Sequence, residues 1–179
     1  MLSMKSTYEL RKNAPNHFWS RANNARFAAF YLFESCDKDL TELQSEIGYN
    51  GTVSIGLYES YLREASLALE LALKSSIATL DKNIPQTHDL LSLWKLAEAE
   101  ELNEWDKKRL KNFRTILVWA GRYATPAKEE YYLKDKWERV PVSNQNKSIQ
   151  ITKSLSLDWT DFDRLYSMAT AKFFESKSF

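Results

Sequence analysis

The chain is predicted to fold as an all-α, up-and-down helical bundle, and three observations carry that prediction. Four glycines and four prolines in 179 residues leave few points where the chain is built to turn. Long stretches repeat their apolar positions every three or four residues, the period of a helix buried along one face. Apolar residues make up 44% and charged residues 27%, enough to fill a core and still coat it with solvated charge. The length fits one domain spanning residues 1–179. Helices joined by short connections become antiparallel neighbours, with one extra short helix and a C-terminal extension that itself ends in a helix.

The first helix is expected from about Pro15 to Cys36. Its stripe Phe18, Ala22, Ala25, Ala29, Leu32 and Cys36 climbs in steps of three and four, and Pro15 suits the first turn, where a missing N–H costs little. Asp37 to Gly56 gathers three of the glycines and reads as a connection, with a helical turn around Leu40 to Ile47. The second helix runs from about Leu57 to Leu80, with Tyr58, Leu62, Ala65, Leu69, Ala72, Ile77 and Leu80 near one face and a composition that favours helix intrinsically. Pro85 breaks the chain, and Thr87 offers an oxygen to cap a third helix from His88 to about Glu101, with Leu90, Leu93, Trp94 and Ala97 inward.

Asn103 can cap the fourth helix, which places Glu104 and Asp106 in a first turn that favours anions. Trp105, Leu110, Phe113, Leu117 and Ala120 form its stripe, up to Gly121. Thr125-Pro126 repeats the start signal and opens a short fifth helix through about Trp137. Arg139 to Leu157 holds Pro141, a Ser-Asn-Gln-Asn run and the alternation Ile149, Ile151, Leu155, Leu157, which reads as extended chain or a small hairpin. Asp158, with Asp161 three residues on, starts a last helix to about Glu175 that carries Phe162, Leu165, Tyr166, Ala169 and Phe173.

Composition also excludes function classes. Lys and Arg number 25 against 24 Asp and Glu, so a net charge of +1 argues against coating nucleic acid by bulk charge and leaves room only for local basic patches. One cysteine and two histidines cannot build a Cys/His zinc site or an internal disulfide, and no metal or cofactor is expected. The glycines make no Walker loop and no GxGxxG turn, and no GxSxG or Cys/His arrangement supports a nucleophile. No apolar run is long enough to span a membrane and the N-terminus lacks a signal-like stretch, so the expected compartment is the cytoplasm, without a membrane partner.

Within Leu57 to Pro126, three local features occur in order: an alanine- and leucine-rich helix ending Ala72-Leu73-Lys74, then Pro85-Gln86-Thr87-His88-Asp89-Leu90, then Gly121-Arg122-Tyr123. Together this stretch resembles the HEPN domain (higher eukaryotes and prokaryotes nucleotide-binding), with a HEPN-like core over about 15–137 and an extension over about 138–179. The resemblance implies a four-helix up-and-down bundle with an extra short helix, commonly a homodimer, associated with nucleotides or RNA. Many members are encoded beside a minimal nucleotidyltransferase and act with it as toxin and antitoxin. Others are metal-independent ribonucleases that pair an arginine with a histidine a short spacer later.

The ligand-binding residues this implies are Lys82, Thr87, His88, Arg122 and Tyr123, with His88 catalytic if the chain is a ribonuclease working with Lys82 or Arg122. An imidazole near a helix start and a lysine suits phosphate, yet it also suits a surface or capping histidine. Arg122 and Tyr123 follow a helix end, where a guanidinium can meet a ligand or simply the last carbonyls. Lysine at Lys82 lacks the planar fork that grips phosphate twice. Arg11 and His17 also match the nuclease spacing, but they precede the first helix and read as a chance match. Lys74 reads as a solvated lysine near a helix end. The run Lys107 to Arg114 reads as a solvated face balanced by nearby glutamates, with RNA backbone as the sharper alternative. A structural helical protein with no ligand is the third reading.

Overall fold

The computed structural model describes residues 7–120, 137–142 and 149–177. Among them are seven α-helices: α1 (Thr7–Lys12), α2 (Pro15–Glu34), α3 (Thr41–Ile47), α4 (Val53–Thr79), α5 (Leu90–Leu96), α6 (Glu104–Thr115) and α7 (Trp159–Glu175). Helix α6 widens into a π turn at Ile116–Ala120, and strands β1 (Trp137–Val142) and β2 (Ile149–Ser154) pair as an antiparallel ribbon.

Helix α4 is apolar over most of its circumference. Tyr61, Leu62, Ala65, Ala68, Leu69, Ala72, Leu73 and Ile77 are all buried, which makes it a central helix rather than a surface one. Helices α2, α5, α6 and α7 each pack on it. Helix α2 presents only alanines (Ala22, Ala25, Ala29) as buried residues, and such small side chains let two helices lie close.

Specific contacts fix the directions. The Ser75 hydroxyl, late in α4, donates to the Pro15 carbonyl at 3.0 Å, and Tyr61, early in α4, packs on Phe33 at 5.0 Å between ring centroids, so α2 and α4 are antiparallel. Helix α7 runs with α4: Tyr61 meets Phe162 at 6.3 Å and the Ser76 hydroxyl donates to the Ala169 carbonyl at 2.6 Å. Helix α6 runs against α7, with Phe113 at 6.2 Å from Phe162 and Arg164 on Asp106. The bundle α2, α4, α6, α7 therefore alternates up and down, as the periodicity predicts.

Local differences from the expected boundaries have physical causes. Helix α4 begins at Val53, inside the expected connection, and α1 precedes the first expected helix. Helix α5 is shorter than the span from His88 to Glu101. Asp89, not Thr87, caps it, accepting from the Leu91 N–H at 3.3 Å, while the Thr87 hydroxyl oxygen accepts from the Asp89 N–H at 3.1 Å. Its far end stops because Glu98 takes a left-handed φ of 51° and the Trp94 indole N–H reaches back to the Glu100 carbonyl at 2.8 Å. The cap predicted at Asn103 forms, and Asp158, the predicted start of the last helix, caps α7 in the same way, each accepting an N–H three residues on at 2.9 Å.

The expected fifth helix from Thr125 lies outside the described residues, and its expected last residue, Trp137, instead opens β1 opposite Ser154. The extended segment predicted after it is the β1–β2 ribbon. Helix α7 is not peripheral: Phe162, Leu165, Tyr166 and Ala169 belong to the same buried cluster as α4. The Tyr61 hydroxyl donates to the Leu157 carbonyl at 2.9 Å and so ties the approach to α7 onto the central helix.

Candidate functional site

Glu70 interrupts the apolar surface of α4, and its side chain is only 6% exposed. A carboxylate removed from water needs partners for both oxygens. One oxygen accepts from the Lys74 ammonium, one turn along the helix, at 2.6 Å. The other meets Nδ1 of His88 at 2.8 Å. His88 reaches it because α4 stops at Thr79, Asp81 takes a left-handed φ of 53°, and the following loop returns alongside the helix.

The chemistry of this pair fixes the ring. An ionised carboxylate has no hydrogen to give, so Nδ1 carries one and Nε2 is left as the working atom, an acceptor when the ring is neutral and a donor when it is protonated. The His88 side chain is 50% exposed, and among the described residues Nε2 has no hydrogen-bond partner. A buried anion thus holds a half-exposed imidazole in one orientation, with a cation beside it.

The other expected contacts are distributed differently. Thr87 adjoins His88 but uses its hydroxyl oxygen on the Asp89 N–H. The Lys82 ammonium donates to the Leu96 carbonyl at 3.0 Å and pairs with Glu98, so its charge is directed at α5 rather than at the imidazole. The hydrogen bond and charge of Lys82 hold the Glu98 carboxyl below its ordinary range. Arg122 and Tyr123 lie outside the described residues. Lys74 is the clear correction: it is not solvated but 13% exposed and bound to Glu70. Glu70 was missed, although an acid at the centre of Ala-Leu-Glu-Leu-Ala, followed one turn later by a lysine, was a visible signal.

A second ionic cluster joins α6 to α7. Asp106, its side chain 2% exposed, accepts from Arg164 at 2.6 and 3.0 Å, from Arg109 at 3.2 Å and from the Asn103 amide at 2.8 Å. Arg109 also donates to Asp161 at 2.6 Å and to the Ser156 carbonyl at 3.0 Å. The basic run on α6 is accordingly split: Arg109 turns inward, Lys107 pairs with Glu104 at 2.7 Å, and Lys108 lies over the Trp105 ring at 5.0 Å. Among the described residues no group of histidine, cysteine and acidic side chains could hold a metal ion, and no helix is long and apolar enough to cross a membrane.

Comparison with known proteins yields one family. Residues 51–139 match the HEPN domain, a stretch that contains α4, α5 and α6 and with them Glu70, Lys74 and His88. No curated protein and no solved structure matches the chain. The helical bundle agrees with that match, and over residues 51–139 the chain is a HEPN domain, of a family associated with nucleotides and RNA.

Proposed function

We propose that this protein binds a nucleotide or RNA where His88 emerges from Glu70 and Lys74, and that it acts as a binding and interaction module. The observation that carries this reading is the use of Glu70. Lys74 alone would neutralise it, yet its second oxygen orients a half-exposed imidazole whose Nε2 faces no partner within the described residues. Such a ring, held before any ligand arrives, can meet a phosphate oxygen or a ribose hydroxyl without first losing rotamer freedom. Thr87 borders it, and the resemblance assigns Arg122 and Tyr123 to grip phosphate and stack a base.

The same pair favours a second reading, a metal-independent ribonuclease. His88 Nε2 would take the proton of the ribose 2′-hydroxyl, whose oxygen attacks phosphorus as the P–O5′ bond breaks, the 5′-oxygen taking a proton from water, giving a 2′,3′-cyclic phosphate. Arg122 would hold the phosphate. Lys82 would do so only after leaving Glu98.

The family setting further suggests a homodimer, partnership with a minimal nucleotidyltransferase, and a toxin–antitoxin or defence role in the cytoplasm. Exposed Phe27 and Tyr31 on α2 and Ile47 on α3, at 72%, 63% and 68%, offer apolar surface for assembly. The 179 residues act as one unit in this reading, since α7 shares the buried cluster of α4.

Labelled RNA incubated with purified protein in EDTA tests both. Binding without cleavage, weakened in His88→Ala and Glu70→Gln, supports the module. Cleavage abolished by His88→Ala supports the ribonuclease. An inert protein whose melting temperature no nucleotide raises overturns both and leaves a structural helical protein.

A further inference from the structure

We propose that a recess between α1 and α2, outside residues 51–139, is a second subsite that takes the phosphate backbone of single-stranded RNA; this deepens the RNA reading above and rests on it. The recess has a volume of about 520 Å³, within the usual range for ligand sites, and is lined by Arg11, Lys12, His17, Phe18, Arg21 and Leu71. No carboxylate is among the described lining residues. Among the described residues neither the Arg11 nor the Arg21 guanidinium has a hydrogen-bond or ion-pair partner. The cations Arg26, Lys74, Lys82, Lys107, Arg109 and Arg164 are paired with acids, whereas the guanidinium groups of Arg11 and Arg21 converge on this recess without such a pair among the described residues.

The chemistry favours a phosphodiester. Two free guanidinium groups match phosphate oxygens in paired hydrogen bonds. The aromatic pair His17 and Phe18, edge to face at 6.3 Å, and the apolar Leu71 offer surface for a base. Position links the recess to the His88 corner: Leu71 lies next to Glu70 and three residues from Lys74, hence on the neighbouring strip of α4. Arg11 and His17, which match the nuclease spacing in the sequence, are brought together here as cradle rather than as a catalytic pair.

The test is fluorescence anisotropy of a labelled oligouridine against the full chain over a salt series, using wild type, Arg11→Gln/Arg21→Gln and His88→Ala. Both arginines are exposed, so unchanged melting temperature checks the fold of the double variant. The expected result is about tenfold weaker binding at low salt and a log–log salt slope shallower by about 1.4, the share of two phosphate contacts on a single strand. His88→Ala should leave that slope in place. An unchanged slope and affinity in the double variant overturns the recess while His88→Ala still judges the other site. Loss in the double variant alone supports the recess and removes the His88 reading, and no RNA binding by wild type removes both. If polyglutamate competes as well as RNA and depends on the same arginines, the recess is a dock for an acidic protein and the RNA assignment is overturned.

Discussion

Two carboxylates in this protein are almost wholly hidden from water, and their surroundings differ in one respect. Asp106 is held by Arg109, Arg164 and Asn103, and Arg109 also donates to Asp161 and the Ser156 carbonyl. That network closes on itself and staples α6 to α7. Glu70 is held by Lys74 and His88, and His88 brings a second nitrogen for which the described fold has no use. A closed network expresses itself only as stability. An open one can also pass its orientation to a ligand, which is why the site is assigned to Glu70 and not to the larger cluster of charge.

The largest effect should come from breaking the closed network. Asp106→Ala removes the carboxylate that Arg164 grips twice and leaves Arg109 with Asp161 alone, and should cost about 3 kcal/mol of unfolding free energy, the low end for a broken buried pair, read from urea denaturation. A loss below about 1 kcal/mol would mean the cluster is not a staple. Glu70→Ala strands the Lys74 ammonium, 13% exposed, while half-exposed His88 regains water, and should cost up to about 3 kcal/mol. His88→Ala should cost under about 1 kcal/mol and yet weaken RNA binding or abolish cleavage. If His88→Ala instead destabilises as much as Glu70→Ala while RNA handling persists, the imidazole is merely a cap on a buried acid and the comparison collapses.

Much of the fold was legible from the chain because it depends on local signals. The helical period, the proline opening α2 and the caps at Asn103 and Asp158 all act within a few residues of themselves. The boundaries of α5 were not, since Asp89 displaced Thr87 as cap through its bond with the Leu91 N–H, and Glu98 took a positive φ that no propensity scale anticipates for glutamate. The site was half legible. His88 stood out as one of two histidines, but its partner lies 18 residues away, across a loop whose return path is a tertiary fact. Asp106 was expected as a first-turn anion and is that, yet its burial depends on Arg164, 58 residues later.

The smallest effect tests whether the closed end of the molecule titrates as structure should. Burial pushes the Asp158 carboxyl up, but hydrogen bonds from the Asp161 N–H and the Ser156 hydroxyl, with the charge of Arg109, outweigh it and hold the group below the ordinary carboxylate range. A lowered folded value means a stabilising contribution that is complete above the unfolded carboxylate value, about 3.9, and fades as pH falls through the folded one. Asparagine caps a helix about as well as aspartate, so Asp158→Asn should lie within about 0.5 kcal/mol of wild type at neutral pH while keeping α7 in place. Wild type should then lose stability faster than the variant on acidification below about pH 4, narrowing the gap between their urea midpoints. A gap that stays constant across that range would show that Asp158 acts through the shape of its cap alone, and that the charge of Arg109 is spent on Asp106 and Asp161 without reaching the start of α7.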